Sequence, residues 1–175
     1  VRVDRTDFRS CERGSAVIEF TLLLPLLLLL FIGMANLCIL LDEQLRLIHL
    51  GREAASVFSR GTGFEETFEA IGNADGNLDL DGPGGRVILT RISLIGGQPV
   101  ITAQQSIGGL NRSSRVGTLP GNATSAPATV PNGRTIPTNM SLVVVELFSR
   151  QQYILGNTRF APGQGAIVLG SLAAF

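Results

Sequence analysis

Few side chains in this sequence are equipped for chemistry. All 14 basic residues are arginine, so no lysine is present to act as a nucleophile, form a Schiff base or hold a phosphate in a P-loop. His49 is the single histidine, and Glu53 follows it at the four-residue spacing of one helix face, but two such groups do not make a zinc site. Asn77, Asp79, Asp81 and Gly82 match the opening spacing of a calcium loop. The first of these is Asn, however, and Ile88 stands where a bidentate glutamate is wanted, so the run reads as an acidic turn, with weak calcium binding as the alternative. Neither G-x-S-x-G, a phosphate loop, nor a carboxylate pair with a histidine occurs. The expectation is a chain that is not an enzyme and that needs no metal and no cofactor. One short pattern remains: Gly14 closes an arginine-bearing leader, and Glu19 follows at the lip of a long apolar run.

That run is the element that would position the pattern. From Phe20 to Leu41 no charged residue occurs and leucine dominates. At about 1.5 Å per residue the stretch makes a helix of roughly 33 Å, enough for a hydrocarbon core of about 30 Å. A core helix of a small soluble domain would not need to be apolar on every face. A membrane-spanning helix over 20–41 is therefore expected, with a cleaved secretory signal and a greasy core helix as alternatives. Pro25 lies inside it, where lipid-phase helices tolerate a kink. Arg2, Arg5, Arg9 and Arg13 precede the span, whereas Asp42 and Glu43 follow it with only Arg46 nearby. This arginine bias places the N-terminus in the cytoplasm and the C-terminal part outside. Cys11 and Cys38 would then lie too far apart along one rod to pair.

Past the span, Leu47, Leu50, Ala54 and Val57 recur at three- and four-residue steps, so the helix continues with an amphipathic half to about Arg60, where Gly61 and Gly63 offer caps. Beyond it, 86–95 (RVILTRISLI) and 99–105 (PVITAQQ) flank Gly96, Gly97 and Gln98 as a β-hairpin would. Ser141 to Phe148 (SLVVVELF) reads as a central strand covered on both faces, interrupted by Glu146, and 165–175 as a last strand. Residues 107–139 show no period and read as a long irregular loop. The fold class expected is α+β: a leader over 1–14, a long helix over 15–61 and a β-rich domain over 62–175 that carries a small antiparallel sheet. Net charge is zero and no basic run occurs, so nucleic acid is not an expected partner.

Glu12-Arg13-Gly14-Ser15-Ala16-Val17-Ile18-Glu19-Phe20 resembles the processing region of type IV prepilins. More narrowly, RGSAVIEFTLLLPLLLLLFIGMANL is similar to the start of the TadE-like minor pilins, or pseudopilins, of the tight-adherence (Tad) system. GREAASVFSRG and, more faintly, SLVVVELFSR extend the likeness. Ser149 stands where the family often has a tyrosine, and the leader is long. The resemblance implies cleavage between Gly14 and Ser15 by a prepilin peptidase and an assembly role for Glu19, fifth residue of the mature chain. It also implies partnership with other pilins and with the inner-membrane assembly platform. The location implied is the bacterial inner membrane, single pass, with the C-terminal domain in the periplasm or in an extracellular adhesion pilus. The alternatives are an unprocessed single-pass anchor carrying a binding domain and an exported domain cut after Ala35.

Overall fold

The computed structural model describes residues 8–74, 76, 78–121, 123–133, 135–137, 140–152 and 166–174, with backbone alone for 8–16, 132, 151–152 and 166–174. Residues 1–7 of the leader and Asn77 lie outside the described residues. The chain divides into two compact units, Val1–Leu40 and Leu41–Phe175.

The first unit holds the N-terminal part of helix α1, Phe8–Ser59. The helix begins before the expected position, within the leader, and its helical assignment continues through Pro25. Its polar side chains in the apolar stretch turn back on the helix itself. Thr21 Oγ1 donates to the Val17 carbonyl at 2.7 Å, and Asn36 Nδ2 donates to the Ile32 carbonyl at 3.0 Å. Such bonds satisfy groups that lipid could not.

The second unit is built on an antiparallel sheet. Strands β1 (Gly85–Ile95), β2 (Gln98–Ile107), β3 (Ala126–Pro127), β4 (Ser141–Gln152) and β5 (Ala166–Ala174) lie in the order β3-β2-β1-β4-β5, β3 being only two residues long. The hairpin forms where the glycines stand. Gly96 and Gly97 adopt φ of 61° and 81° between the paired residues Ile95 and Gln98, the two positive values that a two-residue hairpin turn of type I′ requires. A bulge at Arg91/Ile92 shifts the register, and Thr102 Oγ1 donates there to the Arg91 carbonyl at 3.3 Å.

One face of the sheet carries Val87, Leu89, Val143, Val145 and Leu147, and on it pack Leu47, Leu50, Ala54, Ala55 and Phe58 of α1. Val57, assigned to this stripe from sequence, is only half-buried, and Phe58 takes its place. The reason is the true helical period: 47, 50, 54 and 58 stay in line over three turns, whereas 57 drifts off the face. Gly61 (φ 91°) follows the end of the helix, where the Gly61 N–H reaches the Phe58 carbonyl at 3.3 Å.

Gly63, expected to serve the same helix end, instead starts a second helix that the sequence reading did not contain. This is α2, Phe64–Ala74. Gly63 N–H donates to Glu66 Oε2 at 3.2 Å, and its carbonyl accepts from Thr67 Oγ1 at 2.8 Å, which closes the first turn reciprocally. Phe64, Phe68 and Ile71 share a face, with Ile71 buried in the same core and the Phe64 ring 4.9 Å from that of Phe58.

The other face of the sheet is covered by the long segment between β2 and β4, which is a layer of the core instead of a free loop. Val116, Ile136, Ala128 and Val130 pack on Ile92, Leu142 and Val144, and Leu110 packs on Ile88 and Phe148. A covered irregular segment must find partners for its backbone. Gln104 supplies two, accepting from Leu119 N–H at 2.9 Å and donating to the Gly117 carbonyl at 3.0 Å. Glu146, fully buried in the middle of β4, supplies another by accepting from Arg115 N–H at 2.8 Å and from Ser114 Oγ. Glu146 thus fastens the covering layer to the sheet. Glu146→Ala is expected to cost about 2–3 kcal/mol, the worth of hydrogen bonds to a charged group left unmade. Denaturation of the full chain in detergent checks this, together with hydrogen exchange, which should rise over 111–118 while β1 stays protected; unchanged exchange there would contradict it.

Candidate functional site

The site indicated by sequence lies on α1, in the first unit. Gly14 and Ser15 are both helical, so the bond between them sits inside regular helix. Glu19 is four residues beyond Ser15 and therefore on the same helix face, one turn on. Its side chain is exposed, and so are its apolar neighbours Val17, Ile18, Phe20 and Leu22, the last at 74%. A carboxylate is thus presented at the start of a helix surface that is otherwise apolar. No residue in the most apolar stretch of α1 is buried, and the helix is long and apolar enough to cross a membrane. Cys38 is a free, exposed thiol on this surface.

After the apolar run, Asp42 and Arg46 pair at 2.8 Å, both well exposed, and this pair falls among those that contribute little. His49 is exposed. Of the calcium candidates, Asn77 lies outside the described residues, and Asp79, in the left-handed region at φ 49°, turns its carboxylate toward its own loop, where Oδ2 accepts from Gly84 N–H at 3.4 Å. Asp81 is exposed and follows the buried Leu80. Among the described residues no group of three or more His, Cys, Asp or Glu side chains is placed to hold a metal ion.

Gly14, Ser15 and Glu19 therefore share one helical stretch that leads directly into the apolar surface. Residues 14–56 match the family of TadE-like proteins. No curated protein and no solved structure gives a match. The TadE-like segment opens on Gly14, contains Glu19 and the entire apolar run, and closes within the amphipathic half of α1. The match bears out the resemblance read from the sequence and suggests involvement in the Tad pilus system. The sheet and its covering layer lie beyond the TadE-like segment. Sequence reading passed over Arg86, Gln104 and Glu146 as sites of interest. Their roles depend on what the aperiodic segment packs against, and no local spacing encodes that.

Proposed function

We propose that this chain is a minor pilin or pseudopilin of a Tad-type pilus, cut between Gly14 and Ser15 by a prepilin peptidase and acting in pilus assembly. The observation that carries this reading is that the TadE-like match spans 14–56 and so begins on the glycine of the cleavage motif and includes Glu19. The apolar surface of α1 holds the subunit in the inner membrane, with the arginine-rich leader in the cytoplasm and the sheet unit in the periplasm. The same surface can exchange lipid for the apolar helices of neighbouring pilins, one apolar medium for another. Glu19 then meets the α-amino group created at Ser15, of its own or an adjacent subunit, and sets the register.

An in-frame deletion in the host should abolish or strongly reduce pili seen by electron microscopy, and the full chain should restore them. Wild-type piliation in the deletion strain would contradict the assembly role. A second reading, an unprocessed membrane anchor carrying a binding domain, draws support from the sheet, which lies beyond the matched segment and has a core on both faces.

A further inference from the structure

A polar cleft of about 340 Å³ opens between β2 and the covering segment, and the assembly reading leaves it without a role. Its lining includes Arg86, Ser106, Asn111, Arg112 and Ser113, and among the described residues it contains two arginines but no carboxylate. Arg86 is fixed in the wall, its Nη1 donating to the Leu110 carbonyl and its Nη2 to Ser106 Oγ, each at 3.2 Å. Its Nε is buried and has no hydrogen-bond partner among the described residues. Arg112 is exposed at the rim. Glu146, the buried carboxylate on neighbouring β4, accepts from Ser114 Oγ and Arg115 N–H and is not itself part of the lining.

The chemistry of this lining narrows the ligand. Two guanidinium groups without a carboxylate among them attract an anion, and their planar forks match a carboxylate. The amide of Asn111 and the hydroxyls of Ser106 and Ser113 each both donate and accept, as sugar hydroxyls do, whereas inorganic phosphate mostly accepts and would leave half of that capacity idle. Among the described residues no aromatic ring lines the cleft, so they offer a base or other flat ligand no stacking platform. The volume lies near the small end of ligand sites, room for about one substituted sugar ring.

We propose that this cleft binds an acidic sugar, a hexuronate, with its carboxylate on Arg112 and Arg86 and its hydroxyls on Ser106, Asn111 and Ser113. The site belongs to the sheet unit, and its existence does not depend on cleavage at Gly14 or on pilus assembly. The test is calorimetric titration of the full chain in detergent micelles with D-galacturonate, D-galactose, sodium phosphate and tri-galacturonate. Saturable galacturonate binding is expected, with galactose and phosphate at least about tenfold weaker, because each lacks one half of the recognised chemistry. Arg112→Gln should weaken galacturonate about tenfold or more while the circular dichroism spectrum stays unchanged; Arg86 is not used for this because it also holds the Leu110 carbonyl. Tighter binding of the trimer would make a polysaccharide the source, and equal or weaker binding a free sugar acid; both support the site. Absence of saturable galacturonate binding, phosphate binding of equal strength, or wild-type affinity in Arg112→Gln would each overturn it.

Discussion

Gly14→Leu is expected to stop maturation, so that the chain accumulates with its leader attached. A peptidase that hydrolyses the Gly14–Ser15 bond must bring catalytic groups against a backbone that the structure holds in helix. Glycine helps in two ways. It presents no Cβ to obstruct close approach, and in a helix interior it is about 1 kcal/mol less favourable than alanine, so the helix opens most readily there. Leucine removes both advantages, because it is a strong helix former and its branched side chain displaces the bond from the attacking groups. A misplacement of about 1 Å is enough to slow a positioned reaction on the order of a hundredfold. Pulse-chase labelling in the host, followed by electrophoresis, checks this: the shorter form should be nearly absent for Gly14→Leu and only delayed for Gly14→Ala. Normal conversion of the leucine variant would remove Gly14 from the processing site.

Glu19→Gln is expected to leave membrane insertion and cleavage unchanged and to reduce assembly severely. An α-amino group that the proposed cleavage would release at Ser15 has an ordinary pKa near 8, so it would be largely a cation at neutral pH. While the subunit lies in the membrane this amine can stay at the aqueous interface. Once the apolar helices bundle, it enters a low-dielectric setting where an unpaired charge costs about 3–5 kcal/mol, a factor of more than about a hundred in a contact. Glu19 is the carboxylate on the right face, one turn away. Glutamine keeps the shape and the hydrogen-bonding capacity but not the charge. Pili sheared from cells and quantified by immunoblot should fall at least about tenfold for Glu19→Gln, with mature protein still abundant in membranes. Wild-type pilus yield from the glutamine variant would exclude charge pairing at this position.

The parts of this fold that sequence made legible are those whose signal is local. The hairpin rests on Gly96 and Gly97 between two β-branched runs, and both glycines adopt the positive φ that the turn needs. The β4 run, Ser141 to Phe148, is apolar on both sides because α1 covers one face and the 108–140 segment the other. The amphipathic stripe of α1 was legible to within one residue, Phe58 in place of Val57. What escaped was non-local or short. Helix α2 is 11 residues long and follows Gly61 and Gly63, a context that reads as a loop. The segment between β2 and β4 has no period because, among its described residues, only the two-residue β3 and a single 3-10 turn at Pro131–Gly133 form there. Its order comes from Glu146 and Gln104, side chains far away in sequence that meet its backbone groups. The same distinction applies to the sites. Gly14, Ser15 and Glu19 form one contiguous pattern on one helix, whereas the arginine-lined cleft joins β1, β2 and a loop.

The central claim is that this chain is matured as a pilin, and the N-terminal residue of the protein in native membranes tests it most directly. Mass spectrometry of the N-terminal peptide, from hosts with and without their prepilin peptidase, should find Ser15 as the first residue only when the peptidase is present. An intact leader in both hosts would contradict the claim and leave a plain membrane anchor, and a first residue of Asn36 would contradict it by making the sheet unit an exported domain.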